Sequence, residues 1–106
     1  MSVTLGIKDP VTGAYDDMPV SFQSTWREVW EPAIEAMHLH YLAQYAISTA
    51  AMPELMEEFR KVQEYVRTHD VPESDKSYVI ERIDDILENI ADFRNQFPDA
   101  ELMYLG

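Results

Sequence analysis

Residues 75–97, DKSYVIERIDDILENIADFRNQF, set Ile80, Ile83, Leu87, Ile90 and Phe97 at helical spacing, widened by Ile86 and Phe93. Apolar residues recurring every three or four positions predict a helix with one buried face. Ser74 or Asp75 offers a side-chain cap at its start, and Pro98 stops it. The polar side of the same stretch holds Glu81, Asp84, Asp85, Glu88 and Asp92. On a helical wheel Glu81, Asp85, Glu88 and Asp92 form one ridge, with Asp84 at its flank beside Ile80 and Leu87. Like charges three or four residues apart, such as Glu81 with Asp85, weaken a helix by roughly 0.2–0.5 kcal/mol per pair.

Upstream, Pro53 opens a second helix over residues 53–68, in which Leu55, Phe59, Val62 and Val66 form the apolar side. Glu54, Glu57, Glu58, Arg60, Lys61 and Glu64 are assigned to its outer face. Pro72 ends it, because the residue before a proline disfavours helical geometry. A first helix is expected over residues 25–47, with Trp30, Ala33, Ile34, Met37, Tyr41 and Tyr45 as its stripe. Thr25-Trp26-Arg27-Glu28 has capping-box spacing. Pro32 either opens this helix or disturbs it; a continuous helix disturbed near Pro32 is the favoured reading.

The N-terminal residues alternate instead. Val3, Leu5 and Ile7, then Met18, Val20 and Phe22, flank the turn-forming Asp9-Pro10-Val11-Thr12-Gly13, so residues 3–22 read as a β-hairpin. Pro19 suits the hairpin's outer edge. Leu102, Met103, Tyr104 and Leu105 form an apolar tail over 101–105 that either pairs with the Val3–Ile7 strand or lies across the helices. The expected fold is one α+β domain over 1–106, mainly α: a three-helix bundle with an N-terminal β-hairpin and a short C-terminal strand or tail.

At 106 residues with 46% hydrophobic content, the chain can build a core, and no cysteine is present to staple it or act as a thiolate. The segment Met1–Lys8 lacks the basic and long apolar regions of a signal peptide, and Leu42–Met52 is too short to span a bilayer. A cytoplasmic location is therefore expected. Twenty acidic against eight basic residues, a formal net charge of -12, argue against nucleic acid or an anionic membrane as a direct partner.

Catalytic and metal signatures are missing. With glycine only at Gly6, Gly13 and Gly106, no phosphate-cradling loop exists, and no strand-turn-helix elbow presents a serine. Residues Asp70–Asp75 lack the ligand spacing of a calcium loop. Glu35 and His38 have the spacing of one carboxylate–histidine pair, but a diiron bundle needs two such pairs and two further carboxylates. His38 and His40, read on the first helix, point apart, so one is expected partly buried and the other exposed. No enzyme activity, cofactor or metal is expected.

The acidic ridge is weighed against a solvated face, which is what most charge runs are. Only Arg82 and Arg94 relieve it between Tyr78 and Phe97, whereas the second helix interleaves Arg60, Lys61 and Arg67 with its acids. A face serving solubility alone mixes signs. Asp16 and Asp17 form a weaker second patch, which Asp9 and Glu101 could extend. Aromatics such as Tyr15, Trp26, Trp30, Tyr41, Tyr78 and Tyr104 exceed what so small a core needs, and interface anchors are drawn from these residue types.

In this combination the chain resembles the small acidic bacterial immunity proteins that neutralise toxins, on the Glu81–Asp92 ridge and on aromatics such as Trp30 and Tyr78. It lacks the paired tyrosines between Asp and Pro that mark the nuclease-colicin immunity proteins. The resemblance implies stoichiometric binding, in the cytoplasm of the producing cell, to a cognate toxin domain that is often a basic nuclease. The expected function is inhibition of a basic partner protein through Glu81, Asp84, Asp85, Glu88 and Asp92, with Asp16 and Asp17. The alternatives are a phage or regulatory adaptor that mimics nucleic acid, and a structural subunit self-associating through the Leu55–Val66 or Ile80–Phe97 stripe.

Overall fold

A computed structural model describes residues 2–43 and 51–106, without the side chains of Ser2 and Met103. Strands β1 (Ser2–Lys8) and β2 (Tyr15–Phe22) form the expected hairpin. Its turn is organised by Asp9, whose carboxylate accepts the backbone N–H and the hydroxyl of Thr12, while the Gly13 N–H donates to the Asp9 carbonyl. Gly13 takes φ +79°, a left-handed conformation that a side chain would strain.

The tail pairs as strand β3 (Glu101–Leu105), giving an antiparallel sheet in the order β2-β1-β3. Val3, Leu5 and Ile7 of β1, Met18 and Val20 of β2, and Leu102 and Leu105 of β3 are all buried in one core. The β1–β2 register shifts where Val3 faces Ser21 and Thr4 faces Pro19, leaving Val20 as the extra residue of a bulge. This is why consecutive Val20 and Ser21 are both buried. Pro19 sits beside that bulge on an edge strand, where sheets tolerate a missing donor.

Strand β2 runs directly into one helical rod made of α1 (Gln23–Thr25), a π-helical turn (Trp26–Trp30) and α2 (Glu31–Ala36). The capping box is not formed: Thr25 lies inside the first turn, and the cap position is Phe22, with no side-chain cap bond. The disturbance at Pro32 takes the form of the π turn, in which the Glu31 N–H reaches the Trp26 carbonyl. In a regular α-turn the Pro32 ring would clash with the carbonyl of Glu28, and the wider turn relieves this.

The rod stops at Ala36, well short of residue 47; positions 44–47 of the expected helix, Tyr45 included, lie outside the described residues. Its end is a Schellman motif. The Leu39 N–H bonds the Ile34 carbonyl and the His38 N–H bonds the Glu35 carbonyl, with His38 at φ 53° and Leu39 packed into the core near Ile34. His38 and His40 therefore follow the helix instead of standing on it, and both are exposed, so the expected division between them fails.

Helices α3 (Met52–Thr68) and α4 (Glu73–Gln96) complete the chain. Leu55, Phe59, Val62 and Val66 are fully buried as the spacing predicts, and Phe59 meets Trp30 edge to face at 5.9 Å. On α4 the buried line is Val79, Ile83, Ile86 and Ile90; Ile80, Leu87, Phe93 and Phe97 are half-buried at its margins. The stripe is thus rotated from the expected one, because α4 packs against both α3 and β2. Neither Ser74 nor Asp75 caps α4, which begins after Pro72 with no side-chain cap bond.

Two polar residues of α3 point inward and tie elements together. Glu58, assigned above to the outer face, is buried, and its carboxylate accepts the N–H groups of His40, Tyr41 and Leu42 at 2.9–3.1 Å. Gln63 Nε2 donates to the Ile80 carbonyl at 3.0 Å and to Asp84 Oδ1 at 2.8 Å, joining α3 to α4.

Candidate functional site: an acidic ridge on helix α4

Alternation of apolar and acidic positions along α4 turns its carboxylates outward as the core side fills. Glu81, Asp84, Asp85, Glu88 and Asp92 are all exposed. Glu81, Asp85, Glu88 and Asp92 follow one another at intervals of four, three and four, which aligns them along the helix. Asp84 leans toward α3, where Gln63 holds one of its oxygens.

Among the described residues, none of the five lies within 4.0 Å of a lysine, arginine or histidine nitrogen. Arg82, on the same helix, is half-buried and makes no ion pair with them. Among the described residues the ion pairs are on α3, Arg60 with Glu57 at 3.3 Å and Arg67 with Glu64 at 3.5 Å, each three residues apart. One helix therefore neutralises part of its own surface, and its neighbour leaves a row of anions unmatched.

An aromatic contact stands at the N-terminal end of that row. Phe22 is 60% exposed and stacks on Tyr78, with ring centroids 5.5 Å apart and planes 12° from parallel. Tyr78 precedes Glu81 by three residues and Asp85 by seven, so it shares their side of the helix. Trp30, named above among the aromatics that suit an interface, is instead fully buried and stacked on Trp26 at 5.1 Å. Its indole N–H has no partner among the described residues.

Asp16 and Asp17 are both exposed at the start of β2, but successive strand residues project to opposite faces. Asp17 accepts the Tyr104 hydroxyl at 2.9 Å, and Asp16 accepts the Asp17 backbone N–H at 2.9 Å. No hydrogen bond or ion pair joins either to α4 among the described residues. Asp9 is buried in the hairpin turn, where the Thr12 hydroxyl holds its carboxyl below the usual range. Glu101 is exposed and faces Lys8 across the strands.

Tyr104 itself lies on the sheet's open face, with its hydroxyl 2.7 Å from that of Tyr15. Hydrogen bonding to Tyr15, then to Asp17, pushes the Tyr104 pKa up to about 12. No group of three or more potential metal ligands converges among the described residues, nor is any described helix long and apolar enough to cross a membrane.

The inward roles of Glu58 and Gln63 escaped sequence reasoning, although a signal was present. Glu58 lies three residues after Leu55 and four before Val62, and Gln63 lies four after Phe59 and three before Val66. Both positions belong to the apolar side of α3. Compared with protein-family models, curated proteins and solved structures, the chain matches none.

Proposed function

We propose that the protein is an immunity-type inhibitor that binds a basic partner, a toxin domain in the cytoplasm of the producing cell, through the α4 ridge. One observation carries this reading: Glu81, Asp85, Glu88 and Asp92 stand exposed in a row with no ion-pair partner among the described residues, beginning at the Phe22–Tyr78 stack. Retaining such a row costs helix stability, which a cationic counterpart would return on binding. Carboxylates of this kind accelerate encounter by long-range attraction, and an adjacent aromatic pair slows separation once contact is made. Asp84, tethered by Gln63, would present its remaining oxygen at the ridge's flank.

For the self-associating alternative, Leu55, Phe59, Val62, Val66, Ile83 and Ile90 are buried within the fold, while Ile80, Leu87 and Phe97 are half-buried. The test begins with affinity capture from the native host and mass spectrometry. Association of the captured basic protein is then measured with wild type and with a variant carrying Asp85→Lys and Glu88→Lys. Association is expected to slow by about tenfold or more at low salt and to lose most of its salt dependence. An unchanged rate and an unchanged salt response would leave the ridge as a solvated face.

A further inference from the structure

A cavity of about 330 Å³ opens between the helical rod, the beginning of β1 and the end of β3, away from the α4 ridge. Its apolar walls include Ile34, Leu42 and Leu105, all buried. Trp26 supplies an aromatic wall, half-buried and backed by the stacked ring of Trp30. Glu31 and Glu35 also line it, exposed carboxylates one helical turn apart with no ion-pair partner among the described residues.

Two unusual features hold these walls. Glu58 fixes Leu42 by accepting its N–H at 2.9 Å, so a buried carboxylate maintains one side of the cavity. The π turn links the other side, its Glu31 N–H donating to the Trp26 carbonyl. Short π segments inside helices are found disproportionately at functional sites. The volume lies at the small end of the roughly 300–1,000 Å³ typical of ligand pockets.

We propose that this cavity binds a small organic cation, an alkylammonium whose chain packs on Ile34, Leu42 and Leu105. Its charged head would sit between Trp26 and the carboxylates of Glu31 and Glu35. Apolar walls accept the chain, an indole face attracts a cation through its quadrupole, and the two carboxylates exclude anions. The proposal is independent of the partner surface on α4.

Trp26 and Trp30 are the chain's two tryptophans, so intrinsic emission reports on the cavity directly. Titration with n-hexylammonium at low salt is expected to shift the emission saturably, with 1-hexanol binding about tenfold more weakly and hexanoate giving no shift. Glu31→Gln with Glu35→Gln is expected to weaken hexylammonium about fivefold or more while leaving hexanol unchanged. Glu88→Gln with Asp92→Gln, on the ridge, leaves hexylammonium binding unaltered. Equal affinity for hexylammonium and hexanol would overturn the proposal. So would an equal loss in both double variants, which would reduce the effect to bulk charge.

Discussion

The ring of Tyr104 covers Gly6 so closely that a Cβ on that glycine would lie 2.6 Å from Cε1 and 3.0 Å from Cδ1 and Cζ. Gly6 pairs with Tyr104 on one side and Asp17 on the other, so the phenol crosses the central strand to reach β2. Gly6→Ala should push the ring away and separate its hydroxyl from Tyr15 and Asp17, lowering stability by about 1–3 kcal/mol. Tyr104→Phe keeps the cover and should lose less, because its hydroxyl hydrogen bonds are exposed. Chemical denaturation of the two variants checks the order.

The same phenol should ionise late for a tyrosine. Its pKa is raised from 10.0 to about 12, so its hydrogen bonds contribute stability that is fully present below pH 10.0 and fades as pH rises toward 12. Phenolate absorbance is expected to include the late titration of Tyr104, and Asp17→Asn should bring it to lower pH. A tyrosine titration unchanged by Asp17→Asn would contradict the assignment.

Glu58 holds three consecutive amides with one carboxylate. Glu58→Ala should cost about 2–3 kcal/mol, because it removes the acceptor of the buried Leu42 N–H and of two part-buried amides. Hydrogen exchange should quicken at His40, Tyr41 and Leu42 before it changes in α4.

His38 occupies a left-handed position at φ 53° that glycine enters freely. His38→Gly is expected to raise stability by about 1 kcal/mol, the reverse of the usual effect of glycine near a helix. A melting temperature that fell would mean that the imidazole contributes more than its backbone conformation costs.

Asp85 stands four residues from Glu81 and three from Glu88, so Asp85→Asn should stabilise the free protein by about 0.4–1 kcal/mol. On the proposed function, the same change slows association with the basic partner. A variant that gained stability and kept its association rate would separate the two effects and remove Asp85 from the recognition surface.

Where one segment decided its own conformation, the sequence was readable. Alternation around Asp9–Gly13 marked the hairpin, and the four-and-three spacing of Leu55 to Val66 marked α3. The tail was too apolar to stay free, and it became β3. The outward placement of the α4 acids followed from the same wheel. Features needing two distant segments were hidden: the carboxylate of Glu58 has meaning only against the amides of 40–42, and Gly6 only against Tyr104. The end of the first rod was disguised because a histidine fills the place where glycine usually signals a stop.

The π turn also alters how the rod must be read. It accommodates one residue more than an α-turn, so side chains on its two flanks are offset by about 100° from any uniform wheel. Deleting a single residue between Trp26 and Trp30 would leave Ile34 and Glu35 near their present bearing but force Pro32 into regular geometry, where its ring meets a backbone carbonyl. The wider turn acts as a phase shifter, giving one short rod two differently aimed faces.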